Sequence, residues 1–405
     1  MTRVALLHYS APPVVGGVES VMGYHARLMT DAGHQVRIVA GRGEQTDPRI
    51  PFIHLPLADS RHPEILAIKA ELDAGHIPSK FAKLTDSLTA NFNEVLDDVD
   101  VLLAHNVCSL NKNLALTAAV RNLANYSHLR IILWHHDLAW TTPRYRAELH
   151  DGYPWDLLRQ AWVDVRQVTI SEMRQHELAE LFQIDENDIT VIPNGVDIAR
   201  FHKFEEQTLK YVKQLNLLDA SPLLLLPVRI TPRKNIEFAL YVCENLKPHF
   251  PGIKLVVTGP LGPHNPANIK YFERLIALRK ELGLDNIVYF LAELTAEYIP
   301  DEIISDFYHL ADVLFLPSRE EGFGIPILEA GLAGLPIYCS DIPPLRNLGG
   351  SYATYFSPDA DPKELSDIIA NHLSSNPVFR MRVAVRRQYT WEHIYEQNIA
   401  PILKE

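Results

Sequence analysis

Glu321-Gly322-Phe323-Gly324-Ile325-Pro326-Ile327-Leu328-Glu329 sets two carboxylates, with seven residues between them, around a glycine loop that runs into a Pro-initiated helix. Pro326 fixes φ for a first helical turn and has no N–H of its own, so the amides of Gly322, Phe323, Gly324 and Ile325 can point outward at the positive end of the helix. Such an end is a place for phosphate. Glu321 stands before the amides and Glu329 about one turn into the helix, so both carboxylates can accept hydroxyl hydrogen bonds beside a bound anion. The combination suits a sugar nucleotide. A Gly-Pro turn before a helix with a glutamate in its first turn is also ordinary helix-start chemistry, so this segment gains weight only from others.

Val228-Arg229-Ile230-Thr231-Pro232-Arg233-Lys234-Asn235 follows an apolar run and precedes a helix, which places Arg229 and Lys234 at a strand's carboxyl end. There a planar guanidinium and a mobile ammonium could hold a diphosphate and stabilise charge growing on it. Taken alone, the same residues read as a solvated loop. Gly16-Gly17 lies in the first strand-to-helix turn, where a missing side chain lets a backbone approach a phosphate or sugar. Ser10 to Glu19 does not supply GxGxxG, which lowers the odds of a nicotinamide or flavin enzyme. Trp134-His135-His136-Asp137 ends another strand, and an imidazole beside a carboxylate there could position a sugar hydroxyl. Among 18 histidines a pair is more often structural. Asp98-Val99-Asp100 is a DxD of the type that holds metal in another sugar-transferase architecture, but it precedes a strand, where acidic turn residues need no function.

These segments need a scaffold that brings strand ends together. Val4 to His8, a helical pattern from Gly16-Gly17-Val18-Glu19 to about Ala32, and Val36 to Ala40 form βαβ grammar. Further strands are predicted at Val101 to Ala104, Ile131 to Trp134, Val168 to Ile170 and Thr190 to Ile192. The stretch from Pro63 to Leu96 reads as helix, broken near Gly75 and Pro78. After the turn at Ile192-Pro193-Asn194-Gly195-Val196-Asp197 the grammar starts afresh. Strands are expected at Leu223 to Val228, Lys254 to Thr258, Ile287 to Phe290, Val313 to Leu316 and Ile337 to Cys339. Helices are expected at Ile236 to Leu246, Ile269 to Leu282 and Ile299 to His309, and from Pro362 onward. The fold class is α/β, with two doubly wound, Rossmann-like parallel-sheet domains and ligands outside the carboxyl ends of their strands.

A chain of 405 residues suits two domains of about 200 each. The expected division is residues 1–196 and 197–388, with 389–405 a C-terminal helix packing back towards the first domain. Hydrophobic content of 47% and charged content of 22% are those of a soluble globular protein, expected in the cytoplasm, and Met1-Thr2-Arg3 leads into a strand instead of a signal peptide. Cys108, Cys243 and Cys339 form no CxxC pair, so neither a disulfide framework nor a thiolate zinc site is indicated. A net charge of −12 argues against nucleic acid as a partner, and no run of Lys and Arg is dense enough to claim a peripheral membrane contact.

The constellation resembles the retaining glycosyltransferases of family 4, which have the GT-B fold of two Rossmann-like domains facing a cleft. The resemblance spans the chain. It rests on Gly16-Gly17-Val18-Glu19, His136-Asp137, Ile192 to Asp197, Arg229 with Lys234-Asn235, and Glu321 to Glu329 followed by Ala330-Gly331-Leu332-Ala333-Gly334-Leu335-Pro336. It implies that Arg229 and Lys234 clamp the donor's diphosphate, that the amides of Gly322 to Ile325 make the second phosphate contact, and that Gly16 and Gly17 line the donor. It further implies that Glu329 accepts from the ribose, Glu321 from the transferred sugar, and His136 or its neighbour His135 stands near that sugar. Two segments depart from the family pattern: Phe290-Leu291-Ala292-Glu293, where glycine often lines the base pocket, and Pro260-Leu261-Gly262-Pro263, which replaces a shorter acidic loop.

The resulting expectation is a metal-independent retaining transferase without a resident cofactor. It would use a UDP-, GDP- or ADP-sugar as donor and a sugar, lipid-linked saccharide or small polyol as hydroxyl acceptor. Within the architecture, a nucleotide-sugar epimerase or sugar-phosphate synthase is the rival. Outside it, a noncatalytic sugar-nucleotide-binding protein is the alternative. Nucleobase, sugar, acceptor, linkage and oligomeric state are not legible.

Overall fold

In the computed structural model, which describes residues 1–124, 129–261 and 266–404, the chain divides into Met1–Gly195 with Tyr389–Glu405, and Val196–Gln388. The first unit runs β1 (Arg3–His8), α1 (Gly17–Asp31), β2 (Gln35–Ala40), β3 (Phe52–His54), α2 (Pro63–Asp73), α3 (Lys80–Val95), β4 (Val101–His105), α4 (Leu114–Leu123), β5 (Arg130–His135), β6 (Arg166–Thr169), α5 (Glu172–Phe182) and β7 (Ile189–Val191). Its strands are parallel in the order β3-β2-β1-β4-β5-β6-β7. The order reverses between β1 and β4, so the loops leaving these two strands part to opposite sides and open a crevice at their carboxyl ends.

Both faces of this sheet are covered, as parallel sheets require, and alternate residues of one strand therefore enter different cores. Val4 and Leu6 of β1 pack with α1 residues such as Met22 and Met29, while Ala5 and Leu7 pack with Leu84 and Leu88 of α3. The tail, in helical turns Trp391–Ile394, Tyr395–Ile399 and Ala400–Lys404, adds Trp391, Ile394, Ile399, Ile402 and Leu403 to the first of these cores. Arg130 donates to the Leu403 carbonyl at 2.8 Å, tying the tail to the start of β5.

The second unit runs α6 (Ile198–His202), α7 (Glu206–Gln214), β8 (Leu223–Leu226), α8 (Ile236–Leu246), β9 (Lys254–Val257), α9 (Pro266–Glu281), β10 (Val288–Phe290), α10 (Asp301–Leu310), β11 (Val313–Leu316), α11 (Ile325–Ala333), β12 (Ile337–Ser340), α12 (Pro343–Gly349), β13 (Thr354–Phe356), α13 (Pro362–Ser375) and α14 (Pro377–Gln388). Its parallel strands lie in the order β10-β9-β8-β11-β12-β13, with the reversal between β8 and β11. Asp312, immediately before β11, is buried; it accepts a charge-assisted pair from Arg386 of α14 and a bond from the Leu223 amide, locking the amino ends of the two central strands.

The predicted strands and helices are present with shifted ends. Gly75 and Pro78 separate α2 from α3 as expected, and β8 stops at Leu226 because Pro227 has no amide to continue the ladder. The edge strands β3 and β13, three residues each, escaped the reading because so short a segment carries no measurable periodicity. Among the described residues no helix is long and apolar enough to cross a membrane.

Candidate active site

In the second unit the two loops of interest leave β8 and β11, the strands flanking the reversal. The chain leaves β8 through Pro227 and makes one parallel bridge from Ile230 to Leu261. It then tightens into a helical turn at Pro232–Lys234 that closes on Asn235 in the left-handed region at φ 52°. Asparagine tolerates that conformation better than most residues. The turn drives Lys234 inward until only 7% of it is exposed, while Arg229 stays exposed. Beneath it, Gly259 is obligatory, because a Cβ there would sit 1.9 Å from the Val228 carbonyl oxygen. Of the segment Pro260 to Pro263, Gly262 and Pro263 lie outside the described residues.

The loop after β11 is stitched to the first: the Arg319 amide donates to the Arg233 carbonyl at 2.8 Å. Gly324 caps α11 at φ 101°, where a Cβ would also meet Leu345 at 2.7 Å, so glycine is required twice over. Pro326 occupies the first helical turn, and Glu329 follows about one turn into α11. Among the described residues the amides of Gly322, Phe323, Gly324 and Ile325 have no recorded protein acceptor.

These loops bring three of the expected residues into a defined arrangement. Lys234 Nζ lies 2.5 Å from Glu321 Oε1, both side chains 9% exposed, and Ser318 Oγ donates to the same oxygen at 2.7 Å. On α11, Glu329 Oε2 accepts from the Tyr308 hydroxyl at 2.6 Å. Burial and then the Glu329 carboxylate push the Tyr308 phenol well above its ordinary range, so it remains a donor. Phe290 to Glu293 forms a tight turn after β10, with Glu293 held by Arg279 at 2.6 Å.

In the first unit, Gly16 precedes α1 in an extended conformation, and a Cβ on it would meet the Glu19 carboxylate at 2.0 Å; a Cβ on Gly17 would find open space. Glu19 accepts from Ser10 at 2.6 Å and lies 4.0 Å from His8. His136 and His135 are separated by role. The His135 ring is bound to Gln167 of β6 at 2.8 Å and wedged on Phe182, whereas His136 sits at the strand end with Nε2 3.2 Å from His105 Nδ1. Asn106, held at φ 58°, accepts from the amides of His136 and Asp137 through Oδ1 and donates to Asp137 at 3.2 Å. Burial, followed by the neighbouring histidines His25, His8 and His135, pushes the His136 imidazole down to about 3, and it is neutral at pH 7.

The carboxylates of the DxD are engaged at the opposite edge of the sheet. Asp100 pairs with Arg3 at 2.6 Å, which holds it down to about 2, and Asp98 pairs with Arg37 at 2.7 Å. Among the described residues no group of three His, Cys, Asp or Glu is set to hold a metal ion. An apolar cavity of about 590 Å³ in the second unit, lined by Phe201, His202, Leu310, Met381 and Val385 among others, lies towards the amino end of β11, away from the glutamate loop.

Sequence reasoning missed Tyr308, Ser318 and Asn106. Ser318 carried a signal in its Ser-x-x-Glu spacing to Glu321. Asn106, an asparagine directly after a strand, is a residue type enriched in the left-handed region. Tyr308 meets Glu329 across two helices, and nothing local announces that contact.

Residues 15–200 match the family described as Glycosyltransferase Family 4 and residues 208–388 match Glycosyl transferases group 1. The mannosylglucosylglycerate synthase of Petrotoga mobilis is 26% identical over 373 residues, covering 85% of each chain. The MMP alpha-(1->4)-mannosyltransferase of Mycolicibacterium hassiacum is 24% identical over 98% of this chain and 97% of its own. Among solved structures, the sucrose-phosphate synthase of Thermosynechococcus elongatus aligns over 100% of this chain and 98% of its own at 18% identity with a TM-score of 0.38. Two doubly wound parallel sheets and two family matches that between them span most of the sequence agree: the chain belongs to glycosyltransferase family 4, a GT-B glycosyltransferase that uses nucleotide sugars.

Proposed function

We propose that the protein is a retaining, metal-independent hexosyltransferase that moves a hexosyl group from a nucleotide-diphosphate sugar to a hydroxyl acceptor. The buried Lys234–Glu321 pair beside the uncommitted amides of 322–325 is the observation that carries this reading. It supplies a cation, an anion-binding helix end and a hydroxyl acceptor within one strand-end crevice. Relatives named a mannosyltransferase and an N-acetylglucosaminetransferase support a hexosyl group.

In this reading Arg229, Lys234 and the amides of Gly322 to Ile325 bind the diphosphate. Negative charge grows on its sugar-bound oxygen as the glycosidic bond breaks, and fixed positive groups stabilise that state more than the ground state. Glu321 accepts from hydroxyls of the transferred sugar, and Glu329, oriented by Tyr308, accepts from the ribose. The departing phosphate oxygen takes the acceptor hydroxyl's proton on the face it leaves, so the anomeric configuration is kept and no enzyme nucleophile is needed. On the first unit, Gly16 and Gly17 are assigned to donor contact and neutral His136 to the reacting sugar.

The test is thermal denaturation with UDP, GDP and ADP and their sugars in EDTA, then mass spectrometry and NMR of the product formed with candidate acceptors. A ligand at 100 times its Kd should stabilise by about 2.7 kcal/mol. Absence of stabilisation by every nucleoside diphosphate, an inverted anomer, or turnover that collapses in EDTA would each refute the corresponding part.

A further inference from the structure

Glu321 uses its two carboxylate oxygens differently. Oε1 takes both donors that reach this side chain, Lys234 Nζ at 2.5 Å and Ser318 Oγ at 2.7 Å. Oε2 takes no bond among the described residues and is not a buried atom, so it stands open to solvent. The two donors arrive from different loops, Lys234 from the turn after β8 and Ser318 from two residues past β11. Ser318 is fully buried, and a single torsion separates its oxygen from the backbone, so its hydroxyl is a fixed point. Lys234 is a different kind of donor: its ammonium sits on a flexible four-carbon stem and has three protons, of which Glu321 takes one. A glutamate has three torsions of its own, and a mobile cation alone leaves either oxygen free to turn outward. Glu329 repeats the division. Its Oε2 accepts from the Tyr308 hydroxyl, on a side chain that is itself buried, and its Oε1 takes no bond among the described residues and is open to solvent. Each glutamate flanking the amides of 322–325 thus holds one oxygen against a buried hydroxyl and presents the other.

We infer that Ser318 is a positioning residue for donor recognition: it anchors Glu321 Oε1 so that Oε2 alone meets the transferred sugar, while Lys234 is shared between Glu321 and the diphosphate. This rests on the proposed transferase function and adds to it the residue that sets which oxygen reads the sugar. A carboxylate oxygen has two lone pairs, so the anchored Glu321 reads one hydroxyl of the hexosyl ring or two. A hexose without a hydroxyl in that direction leaves Oε2 desolvated and unpaired, which is how a fixed acceptor discriminates between sugars. Ser318 touches neither the diphosphate nor the sugar in this arrangement, and acts on the sugar only through Glu321.

The experiment is calorimetric titration of the full chain with three pairs of probes: UDP and UDP-glucose, GDP and GDP-mannose, ADP and ADP-glucose. For the pair that binds wild type, Ser318→Ala should weaken the sugar conjugate by about three- to tenfold, the scale of one hydrogen bond, and leave the bare diphosphate within about twofold. Monodeoxy versions of that conjugate, each lacking one ring hydroxyl, give a second reading. The one or two whose missing hydroxyl met Oε2 should bind wild type more weakly and lose nothing further in Ser318→Ala, whereas the others should fall as the parent does. A serine that merely supports the loop would weaken conjugate and diphosphate together, and that result overturns the inference. So does a Ser318→Ala protein with wild-type affinity for the conjugate, or a deoxy series in which every member loses affinity in Ser318→Ala as the parent does. In each of these cases wild type still binds a pair and the donor reading stands. Failure of all three pairs to bind wild type would instead refute the donor reading, and this inference with it.

Discussion

Lys234 and Glu321 neutralise each other at 2.5 Å, so the ammonium assigned to the donor's diphosphate has a carboxylate partner of its own. Removing one member leaves the other buried without its counter-charge. Lys234→Ala should therefore lower kcat by about 10² or more and also cost about 3–5 kcal/mol of stability. Lys234→Met with Glu321→Gln should recover most of the stability and none of the turnover, measured by urea denaturation and steady-state kinetics. Near-normal turnover in a folded Lys234→Ala would remove Lys234 from the mechanism.

Glu329 and Tyr308 make a graded pair. Glu329→Ala removes the proposed ribose acceptor and should raise donor KM by about tenfold or more with a smaller change in kcat. Tyr308→Phe removes only the hydroxyl that orients it, so a rise of a few-fold is expected. Equal KM in wild type and Glu329→Ala would place the ribose elsewhere.

Gly259→Ala tests the backbone beneath the cationic loop. The added Cβ would lie 1.9 Å from the Val228 carbonyl oxygen, a backbone atom that moves only with the strand end carrying Arg229. Loss of about 3 kcal/mol or more is expected, with weaker nucleotide binding in whatever remains folded. A melting temperature equal to wild type would show that the strand end yields freely.

Acid sensitivity is built into the first unit. Burial pushes His25 and His136 down to about 3, and His8 and His135 down to about 4, from an ordinary 6.5. Each is neutral when folded and takes up a proton when unfolded, so its contribution is complete above about pH 6.5. It is lost as pH falls towards 4, at up to about 1.4 kcal/mol per pH unit for each histidine. Urea midpoints should fall steeply between pH 7.5 and 5.5. Among the described residues His25 has no hydrogen-bond partner at either ring nitrogen, so His25→Leu should flatten that slope by one proton's worth while leaving pH 7.5 stability little changed. An unaltered slope would count against it.

Much of this fold was legible because parallel strands buried on both faces announce themselves as apolar runs: Val4 to His8, Leu223 to Leu226 and Val313 to Leu316 needed no tertiary context. The glutamate loop was legible for the same local reason, since Gly324, Pro326 and Glu329 each have a meaning fixed by helix-start geometry. What stayed hidden depends on contacts distant in sequence. Lys234 meets Glu321 across 87 residues, and His136 meets His105 across 31. The turn at Ile192 to Asp197, visible as a motif, owes its glycine to packing: a Cβ on Gly195 would strike the Trp391 ring at 2.6 Å, while Asp197 caps α6. That reason lies almost two hundred residues downstream.

Because Trp391 and its followers complete a core begun by β1 and α1, the first unit's sheet leaves the ribosome unfinished and stays so until the second unit has been made. Its hydrophobic flank, with Tyr24 and His25 awaiting the indole, is uncovered throughout synthesis of the entire second unit. Residues 391–403 thus act as a closing seal, and removing them would strike the first unit and not the second, which precedes them directly in the chain.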